Sequence, residues 1–182
     1  MNLDRVGPGN DIPNEFNVII EIPMAADPIK YEVDKETGAL FVDRFMGTSM
    51  HYPCNYGYVP NTIAGDGDPV DVLVITPFPV TVGAVVRCRP VGILEMEDEA
   101  GSDGKLLAVP TDDILPIYKH WRKPDDISPD RLAAIQHFFE HYKDLEKGKW
   151  VKVKGWACDA AAAKEIIDGV KRYNEAGVKP AF

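Results

Sequence analysis

Apolar positions change rhythm partway along this chain. Up to about residue 110 they come in short β-branched runs separated by Pro and Gly: Asn17–Ile22 (NVIIEI, ended by Pro23), Val70–Ile75 (VDVLVI), Val85–Leu94 and Leu106–Val109. Lys30–Val33 and Leu40–Arg44 flank KETG, which predicts a hairpin. Beyond that point the period lengthens. Ser128 is placed as an N-cap with Pro129 at the first helical position, and Leu132, Ile135, Phe138, Phe139, Tyr142 and Leu145 recur at helical spacing up to Gly148. This predicts an amphipathic helix of about four turns. An alternating strand is expected over Trp150–Trp156, and a second helix over Asp159–Ala176 with Gly177 at its C′ position. Many short strands followed by two helices predict a mainly β, α+β fold, a small barrel or sandwich flanked by helices, in preference to a parallel α/β sheet.

Composition narrows the class. The 182 residues suit one domain spanning 1–182, and 45% hydrophobic with 27% charged residues is the balance of a soluble globular chain. No apolar run approaches the roughly 20 residues of a membrane span, and MNLDRVGPGNDIPNEF lacks the basic-then-apolar pattern of a secretory signal, so the expected location is the cytoplasm. Cys54, Cys88 and Cys158 are odd in number and far apart, as free thiols in a reducing compartment would be. A net charge of −9 opposes nucleic-acid or anionic-membrane binding, which needs clustered Lys and Arg.

The stretch Gly65-Asp66-Gly67-Asp68-Pro69-Val70-Asp71-Val72 carries the chemistry. Three carboxylates within six residues repel one another unless a cation sits among them, and hard divalent cations such as Mg²⁺ take such oxygen ligands. Gly65 and Gly67 would permit tight backbone geometry. The bland alternative is a solvated acidic turn. An EF-hand fails, because counting from Asp66 the fifth, sixth and twelfth positions are Val70, Asp71 and Pro77. A second acidic run, Glu97–Lys105, reads as a hairpin loop whose Asp98 and Asp103 matter only if folding brings them beside Asp66 and Asp71. Glu21 and Glu32 are charges on apolar strand segments, where a half-buried carboxylate needs a partner.

Together these blocks resemble the family I soluble inorganic pyrophosphatases of bacterial type. The resemblance rests on Asp66-Gly-Asp-Pro-Val-Asp-Val and extends through Glu21-Ile-Pro, Asp27-Pro-Ile-Lys-Tyr-Glu, Gly38-Ala-Leu-Phe-Val-Asp-Arg-Phe, Tyr52-Pro-Cys-Asn-Tyr-Gly-Tyr, Arg87-Cys-Arg-Pro-Val-Gly, Asp98-Glu-Ala-Gly-Ser-Asp-Gly-Lys and His137-Phe-Phe-Glu-His-Tyr-Lys-Asp-Leu. It implies a small closed OB-like five-stranded β-barrel with extra strands and two flanking C-terminal helices. It also implies Mg²⁺-dependent hydrolysis of pyrophosphate to two phosphates, with several Mg²⁺ per site. Asp66, Asp71 and Asp103 match the central metal positions, Asp98 a ligand of further metals, and Glu21 and Glu32 supporting acidic positions. Asp68 matches the proton acceptor. Lys30, Arg44, Tyr56, Lys105, Tyr142 and Lys143 match phosphate-holding groups, and Tyr52 a tyrosine lining the cavity. The segment Ile114–Ala134 fits no strong family motif. A homohexamer built from two trimers, with His137 and His141 near subunit contacts, is likewise implied by the resemblance.

Seven carboxylates against four cations leave this set at −3 before an anionic substrate arrives. Divalent ions would reverse that sign, and a water bridging two Mg²⁺ would have its pKa lowered toward the physiological range. Two other classes compete. His137-Phe-Phe-Glu-His141 fits the H-x-x-E-H pattern of inverted zinc peptidases, with both histidines on one helical face, but zinc would need a third ligand. A small barrel could hold an oligonucleotide, yet Tyr52, Tyr56 and Tyr58 are not interleaved with a basic stripe.

Overall fold

The computed structural model describes residues 3–34 and 37–177. Its strands are β1 (Phe16–Ile22), β2 (Ile29–Val33), β3 (Leu40–Phe45), β4 (Asn55–Val59), β5 (Val70–Val74), β6 (Val85–Asp98), β7 (Gly101–Ser102), β8 (Lys105–Pro110) and β9 (Val151–Ala157), with helices α1 (Pro129–His141) and α2 (Asp159–Glu175). Strands pair in the order β1-β4-β5-β8-β6, and β6 returns to β1, so five strands close on themselves. Closure removes the exposed edges that a five-stranded open sheet would present. β7 and β9 extend β6 outward, and β2 with β3 forms a separate antiparallel hairpin. β2 and β3 pair antiparallel as expected, and Lys35 and Glu36 of the KETG connection lie outside the described residues.

Both faces of the barrel wall are buried, which explains the near-continuous apolar runs. Along β5, Val70, Val72 and Val74 pack with Phe16, Val18 and Ile20 of β1 and with Ala162 and Ile166 of α2. The alternate positions Leu73 and Ile75 pack with Tyr56, Leu107 and the α1 residues Ile135, Phe138 and Phe139. The period of two therefore sends Asp71, next in the Leu73 and Ile75 series, to the α1 side.

Two expectations need correction. α1 stops at His141, one turn and more before Gly148, because Tyr142 turns inward and is buried while Leu145 is 71% exposed. The apolar period continues past the helix, but tight i to i+3 bonds from Asp144 N–H to His141 O (3.0 Å) and Glu146 N–H to Lys143 O (2.8 Å) carry the chain instead. Ser128 starts α1 with its carbonyl, which accepts from Arg131 (3.0 Å) and Leu132 (3.2 Å), and its hydroxyl makes no capping bond. The Ile114–Ala134 segment is held from β6: Arg89 donates to Trp121 O (2.5 Å), Tyr118 O (2.6 Å) and the Asp112 carboxylate (3.0 Å). Among the described residues, no helix is long and apolar enough to cross a membrane.

Candidate active site

Strand register converts distant sequence positions into one cavity. Asp71 sits opposite Tyr58 in the β4–β5 ladder, with Tyr56 two residues along β4. β8 runs parallel to β5, and Lys105, its first residue, pairs with Leu94 of β6. On the β2–β3 hairpin Lys30 is directly opposite Arg44. The result is a cavity of about 200 Å³ whose wall includes Asp66, Asp68, Asp71, Asp98 and Asp103. The same wall carries Lys30, Arg44, Lys105, Lys143, Tyr52, Tyr56 and Tyr142. Glu21 and Glu32 line an adjoining cavity of about 110 Å³ that shares Lys30, Tyr56, Asp68 and Asp71 with the first. All fourteen residues singled out in the sequence thus converge on two contiguous cavities.

The acidic loop is shaped by its own backbone. Asp66 accepts the Asp68 N–H (3.0 Å) through its carboxylate, and Gly67 has φ +95°, a conformation that a side chain would strain. Gly65 is not held to such a conformation, and a Cβ there would make only ordinary contacts, so only one of the two glycines is required by the turn. Glu21 arrives by a different device. The β1–β4 register slips between Ile20 and Ile22, so Glu21 is the extra residue of a β-bulge, re-aimed at the cavity on a strand otherwise buried.

Lys105 is the centre of the electrostatics. Its ammonium donates to both Asp71 and Asp103, so these two carboxylates lie close enough to hold one cation between them. Its own burial disfavours the charge, but Asp71 and Asp103 outweigh that and raise its pKa well above the usual lysine value. Burial pushes the Asp103 carboxyl up to about 6, with Lys105 opposing and Asp71 adding to the rise. Asp66 is raised as well, chiefly by burial. Desolvation carries Glu21 to about 8, against the Val33 N–H that it accepts at 2.8 Å. Burial also acts on Asp98, but the Lys143 ammonium (2.7 Å) and the Ala100 N–H (2.8 Å) prevail and hold its carboxyl below the ordinary range. Tyr52 and Tyr56 are shifted well upward and Tyr142 upward, all first by burial, which keeps the three phenols protonated as donors.

The remaining cations are also matched with carboxylates. Lys30 bonds Glu32 and approaches Asp43 (3.7 Å), while Arg44 reaches Glu146 (3.0 Å) and Asp43 (2.5 Å). Asp43 and Glu146 orient Arg44, and Glu99 forms a 2.5 Å pair with Lys149 on the cavity wall. Asp43 and Glu99 lie inside the resembling blocks but carry no role there, whereas Glu146 and Lys149 are brought in by the turn after α1, which no local pattern announces. Tyr52 is both wall and core: its ring contacts Tyr56 at 5.2 Å and Phe138 at 4.7 Å between centroids, and it is 2% exposed.

The donor set suits hard divalent cations: clustered carboxylate oxygens, two of them already bracketing a positive charge. Fold and cavity together define a closed β-barrel protein with a small cavity walled by both carboxylates and cations. Residues 18–174 match the family model described as inorganic pyrophosphatase. An inorganic pyrophosphatase of Ralstonia nicotianae is 59% identical over 175 residues, covering 96% of this chain and 100% of that one. Among solved structures, the inorganic pyrophosphatase of Coxiella burnetii aligns with a TM-score of 0.88 at 56% identity, covering 92% of this chain and 99% of the other. That of Thermus thermophilus aligns at 0.89 with 41% identity, covering 96% and 99%. The chain belongs to the inorganic pyrophosphatase family. The zinc peptidase alternative drawn from His137 and His141 finds no support in these likenesses.

Proposed function

We propose that this chain is an enzyme that hydrolyses inorganic pyrophosphate to two phosphates by direct attack of water, with Mg²⁺ as its cofactor. The observation that carries the reading is the Lys105 ammonium held between Asp71 and Asp103 at a cavity sized for a small anion. That ammonium occupies a position where a cation is favoured, and Asp66 lies close enough to feel both Asp71 and Lys105.

Asp66, Asp71 and Asp103 would hold the central ions, Asp98 further ions, and Glu21 and Glu32 the supporting positions beside them. Bound there, divalent ions supply neutralising charge and acidify water. Asp68, exposed and shared by both cavities, accepts the proton of the attacking water. Lys105, released from its carboxylates, joins Lys30, Arg44 and Lys143 in offsetting charge on the phosphate oxygens. Tyr56 and Tyr142 donate their hydroxyls, and Tyr52 closes the wall behind them. The whole chain, 1–182, acts as one such domain in the cytoplasm. Its acting form is a homohexamer of two trimers with His137 and His141 near subunit contacts, a reading supported by the exposed apolar side chains Phe41, Val42, Phe45, Leu145 and Trp150.

Phosphate release from pyrophosphate, with and without Mg²⁺ and with ATP as control substrate, tests this reading. Strong Mg²⁺-dependent preference for pyrophosphate is expected, and for Asp68→Asn a turnover lower by about 10²-fold or more with the fold retained. Equal rates without Mg²⁺, or near-normal turnover in the variant, would contradict it.

A further inference from the structure

Behind the acidic cavity lies a larger one, of about 380 Å³, between α2, β6 and the chain just before Asp66 and on either side of Asp103. It shares no wall residue with the anion cavity. Asp66 and Asp103 line the anion cavity, while their neighbours Gly65, Ser102 and Gly104 line this one. The two acidic loops meet back to back here, since a Cβ on Gly65 would stand 3.7 Å from Ser102 O. Two wall residues also hold those loops by their backbones. Ala64 closes the turn that carries Asp66, its N–H donating to Asp68 O (2.6 Å) and its carbonyl accepting from the Gly67 N–H (3.3 Å). Met96 O accepts the Asp103 N–H (3.0 Å).

We propose that this cavity is a second ligand site, for a small organic phosphate with an apolar body, and that its occupancy tightens Mg²⁺ binding at the acidic cavity. The coupling, though not the binding, rests on the function proposed above. Lys154, Lys164 and Arg172 face two carboxylates, Glu95 and Glu165, across the cavity, so its walls favour an anion. Arg172 is already positioned: Nη1 donates to Ile63 O (2.8 Å) and to Glu165 (3.1 Å), and among the described residues Nε and Nη2 make no bond. A guanidinium edge of that kind suits a phosphate, which it can hold through two parallel hydrogen bonds. Lys164 and Lys154 are paired with Asp168 (2.5 Å) and Glu97 (2.7 Å), with 77% and 47% of their side chains in solvent. Such exposed pairs are weak, so a ligand can recruit both ammonium groups. Ala64, Ile93, Met96 and Ala161 supply an apolar patch that an inorganic anion would leave uncovered. A ligand spanning α2 and these wall residues would tie both acidic loops to the helix, which orders the carboxylates that collect the ions. Linkage then requires Mg²⁺ to tighten the ligand by the same factor.

Phenylphosphonate, with an apolar ring, a phosphate-like head and no phosphoanhydride, is the probe. Titrated into the full chain in saturating Mg²⁺, it should move the Ala161 methyl resonance, and sulfate should bind there more weakly by about 10-fold. Lys164→Gln/Arg172→Gln should weaken phenylphosphonate by about 10-fold or more, with circular dichroism unchanged. Lys164→Gln alone, at a mostly exposed side chain, gives a smaller loss and keeps the test decisive should removal of the Arg172 bond to Ile63 disturb the fold. In calorimetry, saturating phenylphosphonate should raise Mg²⁺ affinity by about 5-fold in the parent and leave it unchanged in the double variant. A motionless Ala161 methyl, equal binding of sulfate, or full affinity in both variants would overturn the site. Mg²⁺ affinity raised equally in parent and double variant would overturn the coupling. None of these readings uses turnover, so failure of the site and failure of pyrophosphate hydrolysis are told apart.

Discussion

Glu21 and Lys105 show how single residues set the electrostatics of the cavity in the absence of ions. Glu21 has a folded-state pKa of about 8 against 4.5 in the unfolded chain, so the folded protein keeps a proton that the unfolded one releases. Its contribution to stability is complete below about pH 4.5 and is lost as pH rises through 8. Asp103, raised to about 6, acts in the same direction at lower pH. Glu21→Gln should therefore flatten the loss of stability between pH 5 and 8 in urea titrations with chelator present, and parallel curves for the two proteins would contradict this. Lys105→Met removes the charge between two carboxylates, and breaking a buried pair costs about 3–5 kcal/mol. Melting in chelator should fall sharply, and Mg²⁺ should raise the midpoint more in the variant than in the parent. At this scale the sequence is informative where ligands are local: Asp66, Asp68 and Asp71 are legible from six consecutive positions. Asp98, Asp103, Glu21 and Lys143 are not, because their roles depend on which strand lies beside which.

Elements fix those neighbours, and a few positions fix the elements. Gly57 sits opposite Ile20 between Tyr56 and Tyr58, and a Cβ there would stand 2.0 Å from the Ile19 carbonyl oxygen. Both are backbone positions of the closed barrel, so neither can give way. Gly57→Ala should cost about 3 kcal/mol or more and displace Tyr56, measurable as a lowered urea midpoint together with a raised KM. A stability change under about 0.5 kcal/mol would show that β1 and β4 separate more easily than their register implies. The sequence pattern locates four of the five barrel strands, because β-branched runs bounded by Pro and Gly are a local signal, and misses β4, whose Asn55-Tyr56-Gly57-Tyr58-Val59 has no such run. It overruns α1, because Tyr142 and Leu145 keep helical spacing while one turns into the cavity and the other into solvent. It also leaves Glu21 unexplained, since a bulge shows only when two strands are laid side by side.

The whole molecule resolves the charge problem posed by a chain of net −9 acting on an anion. Folding gathers acidic residues from β1, the loop before β5, β5, β6 and the turn before β8, and sets a lysine or arginine against most of them. Without ions the Lys105 ammonium sits between two of those carboxylates, the position that the proposed function gives to a divalent ion. Closure of the barrel by β1 and β6, residues about seventy apart in sequence, has no local signature, and only the family resemblance points to it. The most direct measurement is anomalous diffraction from crystals soaked in Mn²⁺. Mn²⁺ peaks should appear bonded to Asp66, Asp71 and Asp103, with the Lys105 ammonium moved out from between the two aspartates. Mn²⁺ bound elsewhere, with Lys105 still bridging Asp71 and Asp103, would contradict a cavity in which carboxylates collect the ions that carry the chemistry.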